Sequence, residues 1–145
     1  MILQVKKLCE NAVLPQRATE GSAGMDLHAL LDAPVTLEPG QRALIPTGLA
    51  IALPDPAYVA LIFARSGLAV KKGITLSNCV GVIDSDYRGE LKVGLINQSQ
   101  EPYTIENGER IAQLCVMPVC LPQVEQVEQL EDTQRGAGGF GSTGK

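Results

Sequence analysis

Arg42-Ala43-Leu44-Ile45-Pro46-Thr47-Gly48-Leu49-Ala50-Ile51-Ala52-Leu53, followed across Pro54-Asp55-Pro56 by Ala57-Tyr58-Val59-Ala60-Leu61-Ile62-Phe63, is the stretch that decides the fold class. Both runs are apolar, short and closed off by turn residues, which is the pattern of strands buried in a core. Outward from them, Met25, Leu27 and Ala29 alternate with Asp26, His28 and Leu30, as along a strand with one face on the core. Turn punctuation recurs at Glu38-Pro39-Gly40-Gln41, at Asp84 to Gly89 and at Glu106-Asn107-Gly108. Nine prolines spread along the chain leave few windows for a long helix. Short strands broken every ~8–12 residues predict an all-β fold, a jelly-roll-like barrel or sandwich. At most one short helix is expected, after Arg65-Ser66-Gly67, where Leu68-Ala69-Val70-Lys71-Lys72 runs into Gly73. The apolar flanks Cys79–Ile83 and Leu91–Ile96 enclose an acidic turn and read as a β-hairpin.

A chain of 145 residues is one domain's length, and 45% apolar content with a net charge of −4 excludes disorder as its main state. No run approaches ~18 uncharged apolar residues, so no membrane-spanning helix is expected. Glu125 to Asp132 holds four acids and no base, which equals the whole net charge. The remainder is neutral, so nucleic-acid binding through a broad basic face is not expected. Cys9, Cys79, Cys115 and Cys120 form no CxxC pair, and His28 is the one histidine. Buried, reduced thiols are therefore expected rather than zinc. Met1 to Lys7 lacks the charge order and apolar core of a signal peptide, and a cytoplasmic location is expected. Five glycines among residues 136–145 cannot hold a fold, so residues 1–132 are expected to form the domain and 133–145 a flexible arm.

The chain has three Tyr, two Phe and no Trp, so the core must be aliphatic and an aromatic outside an apolar run needs a reason. Tyr87 and Phe140 are such cases. Tyr87 lies in Gly81-Val82-Ile83-Asp84-Ser85-Asp86-Tyr87-Arg88-Gly89-Glu90. That segment is no calcium loop, because Arg88 and Leu95 stand where oxygen ligands are required. An aromatic ring beside carboxylates instead suits a sugar platform next to a general base. Phe140 lies in Arg135-Gly136-Ala137-Gly138-Gly139-Phe140-Gly141-Ser142-Thr143-Gly144-Lys145. Here glycine N–H groups, hydroxyls and a guanidinium can hold phosphates, and the ring can stack on a base for about 1–3 kcal/mol. Arg65-Ser66-Gly67 at a strand-to-helix junction forms a further phosphate cradle, whereas His28 reads as a strand-face residue.

As a set these segments resemble the trimeric dUTP nucleotidohydrolase (dUTPase) family over essentially the full length. Its motifs occur in order: Ala23-Gly24-Met25-Asp26-Leu27, Ala64-Arg65-Ser66-Gly67-Leu68-Ala69, Gly81 to Glu90, Gly108-Glu109-Arg110-Ile111-Ala112-Gln113, and Arg135 to Gly144. The second motif departs from the family, with Ala64 where Pro is usual and Ala69 where Gly is usual. The resemblance implies a homotrimer whose active sites are shared between subunits, and hydrolysis of dUTP to dUMP and pyrophosphate by water attack on the α-phosphorus. Such a reaction keeps uracil out of DNA and supplies dUMP for thymidylate synthesis.

By the same resemblance Asp84 would activate the water, Tyr87 would pack on the deoxyribose, and Asn78 with the backbone through Val82 and Ile83 would read uracil. Lys92 would stand near the sugar. Arg65, Ser66, Gly67 and Gln113 would hold phosphates. Asp26 would support Mg²⁺ through water, the ion being held mainly by the triphosphate. Arg135, Gly141, Ser142 and Thr143 would close on the phosphates with Phe140 over the base. The nearest rival is dCTP deaminase, which shares fold and trimer but would need an acid aimed at the base. A non-catalytic jelly-roll trimer is the rival of another class.

Overall fold

Along Met25–His28 the side chains alternate between buried and half-buried, so the core takes Met25 and Leu27 while Asp26 and His28 share the opposite face. The computed structural model describes residues 1–139. In chain order its elements are β1 (Gln4–Lys7), β2 (Met25–His28), β3 (Val35–Leu37), β4 (Arg42–Pro46), β5 (Leu49–Ala52), β6 (Tyr58–Ala64), α1 (Ser66–Lys72), β7 (Ile74–Leu76), β8 (Gly81–Ile83), β9 (Lys92–Asn97), β10 (Tyr103–Ile105) and β11 (Arg110–Pro118). A four-stranded sheet has the order β2-β11-β6-β8, a three-stranded sheet β4-β9-β7, and two pairs are β1-β5 and β10-β3. This is the all-β class with one short helix; no closed barrel forms among the described residues.

The buried core is built from Leu, Ile, Val, Ala and Met, with Leu27, Leu49, Leu91, Leu95, Ile105 and Leu114 wholly inaccessible. Tyr58 and Tyr103 pack against it from its margin. Two polar residues are buried with it, and each is hydrogen-bonded as burial demands. Thr47 Oγ1 donates to Leu91 O at 2.6 Å, and Asn97 Nδ2 donates to Leu37 O at 2.8 Å and Glu101 O at 2.7 Å. The run Arg42–Leu53 divides into β4 and β5 at Thr47-Gly48, where Gly48 has φ +68°. A Cβ there would stand 2.9 Å from Ala12 Cβ, so conformation and space both require glycine. Arg65, still extended, caps the start of helix α1, which buries Leu68 and stops at Gly73 in the left-handed region.

Two expectations change. The expected hairpin of residues 79–83 and 91–96 is not a ladder: β8 pairs with β6, whereas β9 pairs with β4 and β7. The connection between them is longer than a tight hairpin turn, and each strand finds a partner elsewhere. The cysteines form no disulfide, but Cys9, Cys79 and Cys120 are exposed and Cys115 half-buried, because the exposed three sit in turns or beyond the end of β11 rather than on a core face. Val124, Val127 and Leu130 lie in irregular chain and are exposed.

Candidate active site

At one end of β6, three segments distant in sequence meet around Asp26. Arg65 Nε donates to Asp26 Oδ1 at 3.0 Å, and Arg110 Nη1 donates to Oδ2 at 3.2 Å. Arg65 Nη1 also donates to the carbonyl of Arg110 at 3.2 Å, which ties the two guanidinium-bearing segments together. The sheet register explains the meeting: Gln113 on β11 stands opposite Asp26 on one side and Phe63 on the other, two residues before Arg65. Gln113 Nε2 donates to Ala64 O at 3.3 Å. A Cβ on Gly24 would come within 2.7 Å of Gln113 Oε1, so glycine at 24 leaves room for that amide. Ser66 and Gly67 are exposed just beyond, and nothing stands within 4 Å of where a Gly67 Cβ would be.

Two guanidiniums against one carboxylate leave this end cationic, with the Arg110 side chain 53% exposed. That suits an anion with several oxygens, since charge-assisted bonds to arginine are short and directional. His28 lies beside it, opposite Arg110 in register. Burial lowers its pKa from 6.5; Asp26 opposes the shift, while Arg110 and Arg65 add to it. The imidazole is therefore neutral at pH 7, as a strand-face residue should be.

At the other end of β6 the residues after β8 shape a cavity of about 500 Å³, with Asp84, Tyr87, Glu90 and Lys92 on its polar side and Leu44, Val82 and Ile83 on its apolar side. Asp84 O accepts the N–H of Tyr87 at 3.2 Å, which closes the turn. Arg88 Nη1 staples the same turn by donating to Ser85 O at 2.8 Å and Tyr87 O at 2.9 Å. Asn78 is exposed in the preceding turn, at the opposite end of β8 from Asp84, and does not line the cavity. There Val80 N–H donates to Asn78 O at 2.7 Å and Cys79 adopts φ +64°.

The two ends do not form one site within a chain. Ile83 pairs with Ala60, and Arg65 follows Ala60 by five residues, about 16 Å at the rise of an extended strand. None of Asp26, Arg65, Ser66 or Gln113 lines the cavity that holds Asp84. Arg135 lies apart in a local turn of residues 133–138, its Nε donating to Gly138 O at 2.8 Å. Phe140, Gly141, Ser142 and Thr143 lie outside the described residues. Sequence reasoning passed over Arg110 and Glu90 as individual site residues, although both stand inside quoted motifs; only their spatial partners mark them.

The sequence model of the dUTPase family matches residues 10–144. The chain belongs to the dUTPase family. It is 54% identical over 139 residues to the deoxyuridine 5′-triphosphate nucleotidohydrolase of Idiomarina loihiensis, covering 96% of this chain and 92% of that protein. To the enzyme of the same name from Desulfitobacterium hafniense it is 57% identical over 131 residues, covering 90% and 87%. Among solved structures, the dUTPase of Staphylococcus bacteriophage 80alpha with dUpNHpp superposes with a TM-score of 0.89 at 34% identity, over 99% of each chain. A dUTPase variant from phage phi11 of S. aureus, whose structure reveals coordination of a structural Mg(II) ion, superposes with a TM-score of 0.81 at 30% identity, covering 91% of this chain and all of that one.

Proposed function

We propose that this dUTPase works as a homotrimer in which the Arg65 end of one subunit faces the Asp84 cavity of another across a single dUTP. The reaction is hydrolysis of dUTP to dUMP and pyrophosphate. The observation that carries the division of labour is the register of β8 on β6, which sets Asp84, next after Ile83, and Arg65 of one chain about 20 Å apart along the strand. A carboxylate that activates water at the α-phosphorus and a guanidinium that grips the phosphates must both reach one triphosphate, so they come from different copies of the chain.

In this reading Asp84 orients the water and takes its proton as oxygen attacks the α-phosphorus and pyrophosphate departs. Tyr87 packs on the deoxyribose, so a 2′-hydroxyl is crowded and left without a partner. Asn78 and the backbone through Val82 and Ile83 read the uracil edge, and Lys92 stands by the sugar at the cavity mouth. Arg65, Ser66, Gly67 and Gln113 bind phosphate oxygens. Residues 133–145 act as the arm: Arg135, Gly141, Ser142 and Thr143 meet the phosphates and Phe140 covers the base. The exposed, irregular chain from 120 to 137 supports an arm that finds its contacts off its own domain.

Magnesium fits this site in one way only. Among the described residues no cluster of three His, Cys, Asp or Glu could hold a metal by itself. Asp26 commits one acceptor position on each oxygen to an arginine, which leaves further lone pairs for water. Asp26 would thus support the ion through water while the triphosphate supplies the direct ligands. When bound, the ion offsets charge on the departing pyrophosphate. The reaction belongs to the nucleotide metabolism of the cytoplasm.

The deciding assay measures pyrophosphate and ammonia release from dUTP and dCTP side by side. Pyrophosphate from dUTP is expected; ammonia from dCTP would replace this reading with deamination.

A further inference from the structure

The loop that carries Asp84 and Tyr87 is docked on its own subunit by the Glu90 carboxylate and by the backbone of Leu91. Glu90 Oε1 accepts the backbone N–H of Gly48 at 2.9 Å, and Oε2 pairs with Lys92 Nζ at 3.4 Å. The β4–β5 link and the start of β5 add two bonds to the same seat: Thr47 Oγ1 donates to Leu91 O at 2.6 Å, and Leu91 N–H donates to Leu49 O at 2.7 Å. From that seat Glu90 reaches Tyr87, because its backbone carbonyl accepts the Tyr87 hydroxyl at 3.1 Å. The ring in turn lies against Gly89, where a Cβ would come within 2.6 Å of Tyr87 Cζ.

We infer that Glu90 is a positioning residue for sugar discrimination. Its carboxylate, held by the Gly48 N–H, fixes the carbonyl that restrains the Tyr87 hydroxyl, and so sets the ring on which the deoxyribose packs. The inference rests on the assignment of Tyr87 to the sugar. Glu90 touches no reacting atom in this role; it acts through Tyr87. The Gly48 bond needs only an acceptor, not a charge. Glutamine can therefore replace Glu90, and methionine, of similar length but with no oxygen, cannot.

The test is the ratio of kcat/KM for dUTP to that for UTP, measured on the full chain with thermal unfolding alongside. Glu90→Met is expected to lower the ratio about tenfold, the worth of one hydrogen bond. Glu90→Gln is expected to keep it. Tyr87→Phe removes the same restraint at a position that is 44% exposed, and is expected to lower the ratio as Glu90→Met does. Should Glu90→Met not fold, Tyr87→Phe and Glu90→Gln still decide the matter. An unchanged ratio in Tyr87→Phe with a collapsed ratio in Tyr87→Ala would overturn the role of Glu90 and leave Tyr87 at the sugar. An unchanged ratio in Tyr87→Ala would overturn the sugar assignment itself. Loss of the ratio in Glu90→Gln would show that charge, not the Gly48 bond, matters, and would also overturn the inference.

Discussion

The two ends of β6 are built on different principles. At the Arg65 end, side chains are fixed by side chains: Asp26 bridges Arg65 and Arg110, and Gln113 reaches the backbone of Ala64. At the Asp84 end, geometry is set mainly by the backbone: a turn closed from Asp84 to Tyr87, stapled by Arg88 and seated through Glu90 on Gly48. The first arrangement presents positive charge to an anion. The second presents a carboxylate and a ring at fixed positions around a cavity. On the proposed roles, binding charge tolerates some side-chain play, whereas aiming a water at phosphorus does not.

The comparison can be broken by mutation at each end. Asp84→Asn is expected to retain binding of a non-hydrolysable dUTP analogue and lose on the order of 10³-fold in kcat, the scale of general-base catalysis. Loss of analogue binding with normal kcat would instead place Asp84 among the binding groups. Arg65→Ala at the other end is expected to cost about ten- to a hundredfold in kcat/KM, the worth of a charged hydrogen bond. Equal losses in kcat from both would erase the distinction between the ends.

Gly48→Ala tests the seat alone. With φ +68° and Ala12 Cβ 2.9 Å from the added methyl, it is expected to destabilise the fold by about 1–3 kcal/mol in denaturant titration. A stability equal to that of the unsubstituted chain would show that the seat yields freely.

The smallest effect belongs to the Arg65 end and to pH. His28 has a folded-state pKa below its unfolded value of 6.5, so its contribution is complete above pH 6.5 and falls away as pH drops from there towards the folded pKa. The groups facing it are Asp26, Arg110 and Arg65. His28→Phe is expected to flatten the decline in unfolding free energy below pH 6.5, and an unaltered slope would contradict it. Tyr103 gives the complementary alkaline limb. Burial, then its hydrogen bond to Glu109 and that residue's charge, raise it to about 12, so stability held below pH 10 is lost as pH climbs towards 12.

Much of this was legible in the chain. The alternation through Met25, Leu27 and Ala29 placed β2 and its core face, and Gly73 marked the end of α1. An aliphatic core followed from the scarcity of aromatics. What was not legible depends on long-range register. Nothing local in residues 79–96 says that β8 joins β6 while β9 joins β4 and β7. The pairing of Asp26 with two arginines likewise arises only when β2, β11 and β6 align. The break at Thr47-Gly48 was hidden inside an apolar run, although it supplies the seat for Glu90. The same register sets the Arg65 and Asp84 motifs at opposite ends of β6.

The most direct test of that division mixes two impaired variants and reads kcat/KM, at dUTP well below KM. Asp84→Asn and Arg65→Ala subunits are purified separately, unfolded, combined in equal amounts and refolded, and pyrophosphate release from dUTP is compared with each variant refolded alone. If the ends act in different subunits, about one-quarter of the sites in random trimers combine an intact Arg65 end with an intact Asp84 end, and activity returns to about that fraction of the unsubstituted enzyme. If both ends serve a site within one chain, every site in the mixture lacks one of them, and activity no higher than that of the separate variants would contradict the account.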